Sequence, residues 1–260
     1  MVPLVRTGLS KGDSSGSPFS YQDMSKASDR HEHMVASHIN TLPNVNAVRP
    51  VAGTDYSDVL INYNQKSAWL EVKMNHKDNL VNPRVYYHQN AWKTRYSTPV
   101  AGYIVDQLNK SQSALDFVYS ISHHAGMAYE SIYIPTNRSE METENAVPRV
   151  TMRSFCKANG SYILDHQNID ISHLVTTHYT QGKTEPAYYM QAGDDFFMIS
   201  NTNPLGLSSN IPQFSGVGKM RVRVSNRSKF YEVQAEVKVQ EMLSSPYSLL
   251  PNTNKINPFL

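Results

Sequence analysis

A chain of 260 residues, 40% of them hydrophobic, can bury a sizeable core, either as one large domain or as a catalytic domain with a smaller annex. Charged residues are only 18% and the formal net charge is +2, so wholesale disorder is excluded, and any polyanionic partner must be met by a local basic face. The single cysteine, Cys156, excludes an internal disulfide and a cysteine-rich zinc site, and fits a reducing compartment. The opening residues lack the apolar core of a signal peptide, and no stretch approaches the ~18 apolar residues of a bilayer span, so a cytoplasmic protein with no membrane partner is expected.

Residues 1–19 read as a flexible lead-in, rich in Ser and Gly. Residues 20–40 fit a helix, with Met24, Ala27, His31, Met34 or Val35 and Ile39 at helical spacing and Pro43 beyond its end. Residues 58–63 and 68–74 read as two strands of a hairpin joined by the turn-rich residues 64–67. Strand periodicity puts Leu70, Val72 and Met74 on one face, and Trp69, Glu71 and Lys73 on the other. Asn82-Pro83 reads as a helix opening, with Asn as cap and Pro in the first turn. That helix would carry Tyr86, Gln89, Asn90 and Lys93 on a polar stripe, and Pro99 would limit it. A strand near 100–106, a helix near 111–123 and a strand near 128–134 are expected next.

After a soft boundary near 145 the character changes. Residues 188–200 suggest a hairpin around Gly193. Residues 219–225 and 229–240 suggest another, with alternating Val and charged side chains, and the polar loop 201–217 lies between them. The expected organisation is a core over 20–145, a β-rich extension over 146–243 and an irregular tail over 244–260. The fold class is α+β: a mixed central sheet flanked by helices, with the β-rich extension C-terminal to it.

Phosphodiester hydrolysis needs a divalent cation, an activated water and charge to stabilise the pentavalent phosphate. Asp58, twelve intervening residues, then Glu71-Val72-Lys73 would supply two carboxylates for a hard cation and an ammonium beside the second. At these residues the sequence resembles the PD-(D/E)XK nuclease superfamily, which includes restriction, repair and phage enzymes. Asp58 matches the first acid and Glu71-Val72-Lys73 the Glu-X-Lys, within hydrophobic strands. Ser57 stands where the motif has proline, and Asp55 is a second candidate acid.

The resemblance covers roughly residues 20–106 and implies a restriction-endonuclease-like core. It implies a Mg²⁺-dependent (Mn²⁺ as substitute) DNA endonuclease, able to work as a homodimer. Asp58, Glu71 and Lys73 would be its catalytic residues. The family often adds an acid from the preceding helix, for which Glu32 is the match. It often adds a polar residue, frequently Gln, from the helix after the motif, for which Gln89 is the match. Arg84, Lys93 and Arg95, with Arg221 and Arg223 on one strand face, are candidate contacts to nucleic acid.

Glu236-Val237-Lys238 repeats the Glu-X-Lys pattern without an acid one hairpin upstream, so at least one of the two is an ordinary strand face. The histidines near residues 29–38 lack the spacing of a zinc site and read as helix surface. The alternative from another class is a non-catalytic structural or DNA-binding protein.

Overall fold

The computed structural model describes residues 27–50, 57–75, 79–161 and 166–260; the lead-in, Met24 and Asp55 lie outside them. Helix α1 (Ala27–Ile39) buries Val35, Ala36 and Ile39. Asn40, just past its end, clasps Ala47 of β1 (Val45–Val48), donating to its carbonyl at 2.9 Å and accepting from its N–H at 2.7 Å. Strands β2 (Val59–Tyr63) and β3 (Lys66–Lys73) form the expected hairpin, with Val59 opposite Leu70 and Tyr63 opposite Lys66. Its two turn residues, Asn64 and Gln65, both have positive φ (48° and 63°), the twist that a two-residue hairpin loop demands.

The next stretch departs from expectation. After β4 (Asn79–Val81) come β5 (Val85–His88) and β6 (Ala91–Thr94), a second hairpin where a helix was expected. Its aromatic residues explain this: Tyr87 and Trp92 face one another across the pair and are buried, rings 5.5 Å apart, while Gln89 and Asn90 take the positive-φ turn (54° and 58°). Residues expected as a strand form helix α2 (Pro99–Lys110) instead. Thr98 caps it by accepting from the Ala101 N–H, and Pro99 opens its first turn, so Thr-Pro was a start signal rather than a stop.

Helix α3 (Gln112–Ala125) follows as expected, and ends on Gly126 at φ 64°, which Gly adopts without penalty. Residues 128–134 contribute isolated bridges at Tyr133 and Ile134 rather than a strand. Helix α4 (Arg149–Asn159), β7 (His166–Asp170) and α5 (Ile171–Gln181) come next, two helices in what read as a β-rich extension. Then come β8 (Ala187–Ala192), β9 (Asp195–Met198), β10 (Gly216–Asn226) and β11 (Tyr231–Met242).

The first sheet has the order β1-β2-β3-β8-β9 and is antiparallel except for β3 and β8, which run parallel, Trp69 opposite Ala187 and Lys73 opposite Ala192. The second is wholly antiparallel, in the order β4-β11-β10-β7. Each sheet thus takes strands from both sides of residue 145, and the boundary expected there divides neither of them. The architecture is mixed α+β.

The first sheet is covered on both faces. Leu70, Val72, Tyr189 and Phe196 pack with Val35 and Ile39 of α1 and with Tyr247, Leu249 and Phe259 of the tail. Ala187, Met190 and Phe197 belong to a separate cluster with α2, α3, α5 and the inner residues Met220, Val222, Val233 and Val237 of the second sheet. The tail contributes Tyr247, Leu249 and Phe259 and so closes one core. Glu71 and Lys73 project from β3 towards α5, on the face opposite Leu70 and Val72, as strand alternation requires.

Candidate active site

Asp58 stands immediately before β2, one step beyond the Val59–Leu70 pair, which sets it across from Glu71. Its Oδ2 accepts from the Val72 N–H at 2.7 Å, which fixes the carboxylate against the edge of β3. Burial, followed by the negative charge of Glu71, pushes the Asp58 carboxyl up to about 7. Glu71 is 2% exposed. Burial works against its charge, but two ammonium groups outweigh it and hold the carboxyl below the ordinary range. Lys73 Nζ donates to Oε1 at 2.6 Å and Lys183 Nζ to Oε2 at 2.9 Å. Burial also opposes the Lys73 ammonium; Glu71 beside it prevails and keeps the group well above its usual value.

Lys183 is the residue that local spacing could not reveal. It lies 112 positions from Glu71, in the link between α5 and β8. The parallel pairing of β3 with β8 returns that link to the motif. Trp69 Nε1 donates to the Glu185 carboxylate at 3.1 Å and the Ser57 hydroxyl to the Glu185 carbonyl at 3.3 Å, pinning the link to the hairpin. Gly182 ends α5; a Cβ there would meet the His178 carbonyl oxygen at 2.7 Å, so a side chain at 182 would displace the turn that aims Lys183.

Helix α5 also supplies Tyr179 and His178. The Tyr179 ring lies beneath both ammonium groups, 5.6 Å from Lys73 Nζ and 5.2 Å from Lys183 Nζ, within cation–π range. Its hydroxyl donates to the Leu80 carbonyl at 2.7 Å, tying α5 to β4. Burial lowers His178 to about 4, so it is neutral at physiological pH.

These groups line a cleft of about 740 Å³ whose other wall is β4 and the residues after it, Asn82 to Arg84, with Thr98 and the first turn of α2. A second depression, between α1 and β3, meets the cleft at Asp58, Lys73 and Asn79 and reaches Glu32. Glu32 is ion-paired with Arg49; burial raises its carboxyl despite that partner. It is near enough to push on the charge of Asp58, more weakly than Glu71 does.

The structure therefore brings Asp58, Glu71 and Lys73 together, with Glu32 at the margin. It does not bring Gln89 to them. Gln89 sits in the β5–β6 turn, its Oε1 accepting from Lys93 at 2.9 Å on an exposed surface, because the segment is a hairpin and not the helix the match required. The helix on the Glu71 and Lys73 side of β3 is α5, while α1 packs on the opposite face. Arg84 lines the cleft and pairs with Glu232 at 2.8 Å. Lys93 is engaged by Gln89, and Arg95 pairs with Glu140 and lies over the Tyr86 ring. Arg221 and Arg223 share the outward face of β10, where Arg223 pairs with Glu236 at 3.1 Å. The second Glu-X-Lys thus lies on the outward face of the second sheet, apart from the Asp58–Glu71–Lys73 cluster.

Among the described residues, no group of three or more His, Cys, Asp or Glu side chains is placed to hold a metal. Two carboxylates with waters and substrate oxygens suffice for Mg²⁺, which rarely uses an all-protein cage. The donor set fits such an ion: Asp58 carries a buried carboxyl that its neighbourhood disfavours as an anion, which a nearby divalent charge would reverse. Among the described residues, no helix is long and apolar enough to cross a membrane. Comparison with family models, with curated proteins and with solved structures found no match to this chain.

Proposed function

We propose that the chain is a Mg²⁺-dependent nuclease hydrolysing DNA phosphodiester bonds, acting as an endonuclease. The observation that carries this is the buried Asp58–Glu71–Lys73–Lys183 cluster, open to a cleft whose rim carries Arg84. The expected match to a family with an acid on the preceding helix is supported by Glu32 on α1, and the helix-borne partner comes from α5 rather than from Gln89.

Asp58 and Glu71 would hold the cation, which when bound supplies positive charge to the phosphate and acidifies water. Lys73 stays protonated beside Glu71, so it serves as a donor that orients water and neutralises developing charge rather than as a base. Lys183 holds the second oxygen of Glu71 and keeps that carboxylate ionised and aimed. Tyr179 supports both ammonium groups from below, and the neutral His178 adds no competing charge. The first turn of α2 sets the partial positive end of a helix along the cleft wall, where a phosphate would pass.

A second reading, a non-catalytic scaffold, draws on one observation: both oxygens of Glu71 are engaged by lysines, as in a structural ion cluster. Plasmid cleavage with and without Mg²⁺ separates the two. Asp58→Asn and Glu71→Gln are better tests than alanine, because they keep the shape and hydrogen-bonding capacity of the buried groups, whereas alanine also leaves a void and unpaired neighbours. The nuclease should need metal, lose at least 100-fold in rate in both variants and be unaffected by Gln89→Ala. Equal behaviour of all forms on linear, branched and single-stranded DNA leaves the scaffold.

A further inference from the structure

Two residues of the cleft wall head rows of side chains that run across the second sheet. Asn79 is the register partner of Lys238, which is paired with Lys219. Arg84 bridges to Gln234, which is paired with Arg223. Between these rows Arg221 faces Glu236. Met220, Val222 and Val224 turn inward to the core, so Lys219, Arg221 and Arg223 all turn outward, about 7 Å apart along the strand. The face is thus continuous with the cleft and carries a spaced line of cations.

The two carboxylates set within that line do not cancel it, and Glu241, opposite Val217, lies beyond its end. Glu232 is buried beneath Arg84 and Arg227, each at 2.8 Å, and Glu236 beneath Arg223. The side chains of Arg84, Arg223 and Arg227 remain 47%, 43% and 55% exposed. Each acid therefore braces a guanidinium from behind and leaves part of it in solvent. Braced guanidiniums with flanking lysines suit phosphate oxygens.

We propose that the outward face of β10–β11, entered from the cleft past Asn79 and Arg84, is the track on which the sugar-phosphate backbone of a nucleic acid lies, bound without regard to sequence. This rests on the nuclease reading for the polarity of the track, from centre outwards, and its test is independent of cleavage.

Binding of fluorescein-labelled 30-mers, duplex and single-stranded, is measured in EDTA across a KCl series. The forms compared are the wild type, the Lys219→Gln/Arg221→Gln/Lys238→Gln triple variant, and a Lys110→Gln/Lys157→Gln control on α2 and α4. Arg223 is kept so that Glu236 retains its partner. The triple variant should bind at least tenfold more weakly, with the slope of log K against log [KCl] shallower by two to three, equally for unrelated sequences, while the control matches the wild type. Lys219→Gln and Lys238→Gln singly, each losing about one unit of slope, serve if the triple variant melts early. A triple variant with wild-type affinity and slope overturns the track, as does a wild type that binds neither oligonucleotide. If Mg²⁺-dependent cleavage is absent but the salt-dependent binding behaves as stated, the nuclease reading fails and the track stands. Cleavage that survives with wild-type binding in the triple variant is the reverse.

Discussion

Glu71 is a buried anion held by two cations from distant parts of the chain, and the four charges of the site respond to one another. Removing Lys183 leaves Lys73 as its one ammonium partner among the described residues. Lys183→Met should lower the cleavage rate tenfold or more, and Lys183→Arg should restore part of it. A readout independent of rate is the pH profile, whose acid limb should move up in the Met variant as Glu71 becomes harder to ionise. Asp58 gives a second prediction at this scale. Its folded carboxyl, at about 7, exceeds the ordinary 3.8. Between those values the folded state keeps a proton that the unfolded state releases, so rising pH weakens folding across that window, and the loss is complete above it.

Asp58→Asn avoids the loss. Its advantage over the wild type should be near zero at pH 4 and reach about 4 kcal/mol at pH 8, read from thermal or denaturant unfolding. His178 has the opposite sign: lowered to about 4 from 6.5, it favours folding as pH rises over that interval. Only the difference between variant and wild type isolates Asp58, because the His178 contribution is common to both. Mg²⁺ should raise the wild-type melting temperature at pH 8 and leave that of Asp58→Asn unchanged; an equal rise in both would remove Asp58 from the metal site.

At the scale of elements, the β5–β6 hairpin carries its own test. Asn90 holds φ 58° in an exposed turn, and Asn90→Ala should cost about 1 kcal/mol with no change in cleavage, whereas Gly182→Ala should damage cleavage far more than stability. Comparing unfolding midpoints with rates for the two variants checks this. The same hairpin shows where sequence patterns misled. Asn82-Pro83 is a sound helix start, and Tyr86, Gln89 and Lys93 can be strung on a helical stripe. The burial of Tyr87 and Trp92 against α2 and α3, however, is a tertiary matter that no local pattern states.

Where the pattern and the burial agree, the fold was legible. The β2–β3 hairpin and the opposed faces of Leu70 and Glu71 followed from alternation alone, as did the paired strands around residue 227. Asp58, Glu71 and Lys73 were readable because they are close in sequence. Lys183, Tyr179 and His178 were not, because a parallel strand pairing brings them in and such pairings leave no local mark.

At the scale of the molecule, the two sheets interleave the halves of the chain. Strand β4 closes the edge of a sheet made otherwise of residues 166–242, and β8 and β9 complete the one begun by β1–β3. A fragment ending at residue 145 would expose the β3 edge that β8 occupies and strip Leu70 and Val72 of Tyr189, Phe196 and the tail residues packed with them. Such a fragment should show no cooperative melting transition, while the whole chain should unfold in a single one; calorimetry of both decides it.

The parallel pairing of β3 with β8 also sets a clock. A ribosome adds about 5–20 residues each second, so the 112 residues between Glu71 and Lys183 take roughly 6–22 s to make. Throughout that interval Glu71 has emerged without its second lysine and without the strand that seats the link. If the proposed nuclease reading holds, a nascent chain would be inert towards any nucleic acid near it, and competence would arrive abruptly, once β8 has been released and docked. Synthesis itself would act as the safety catch.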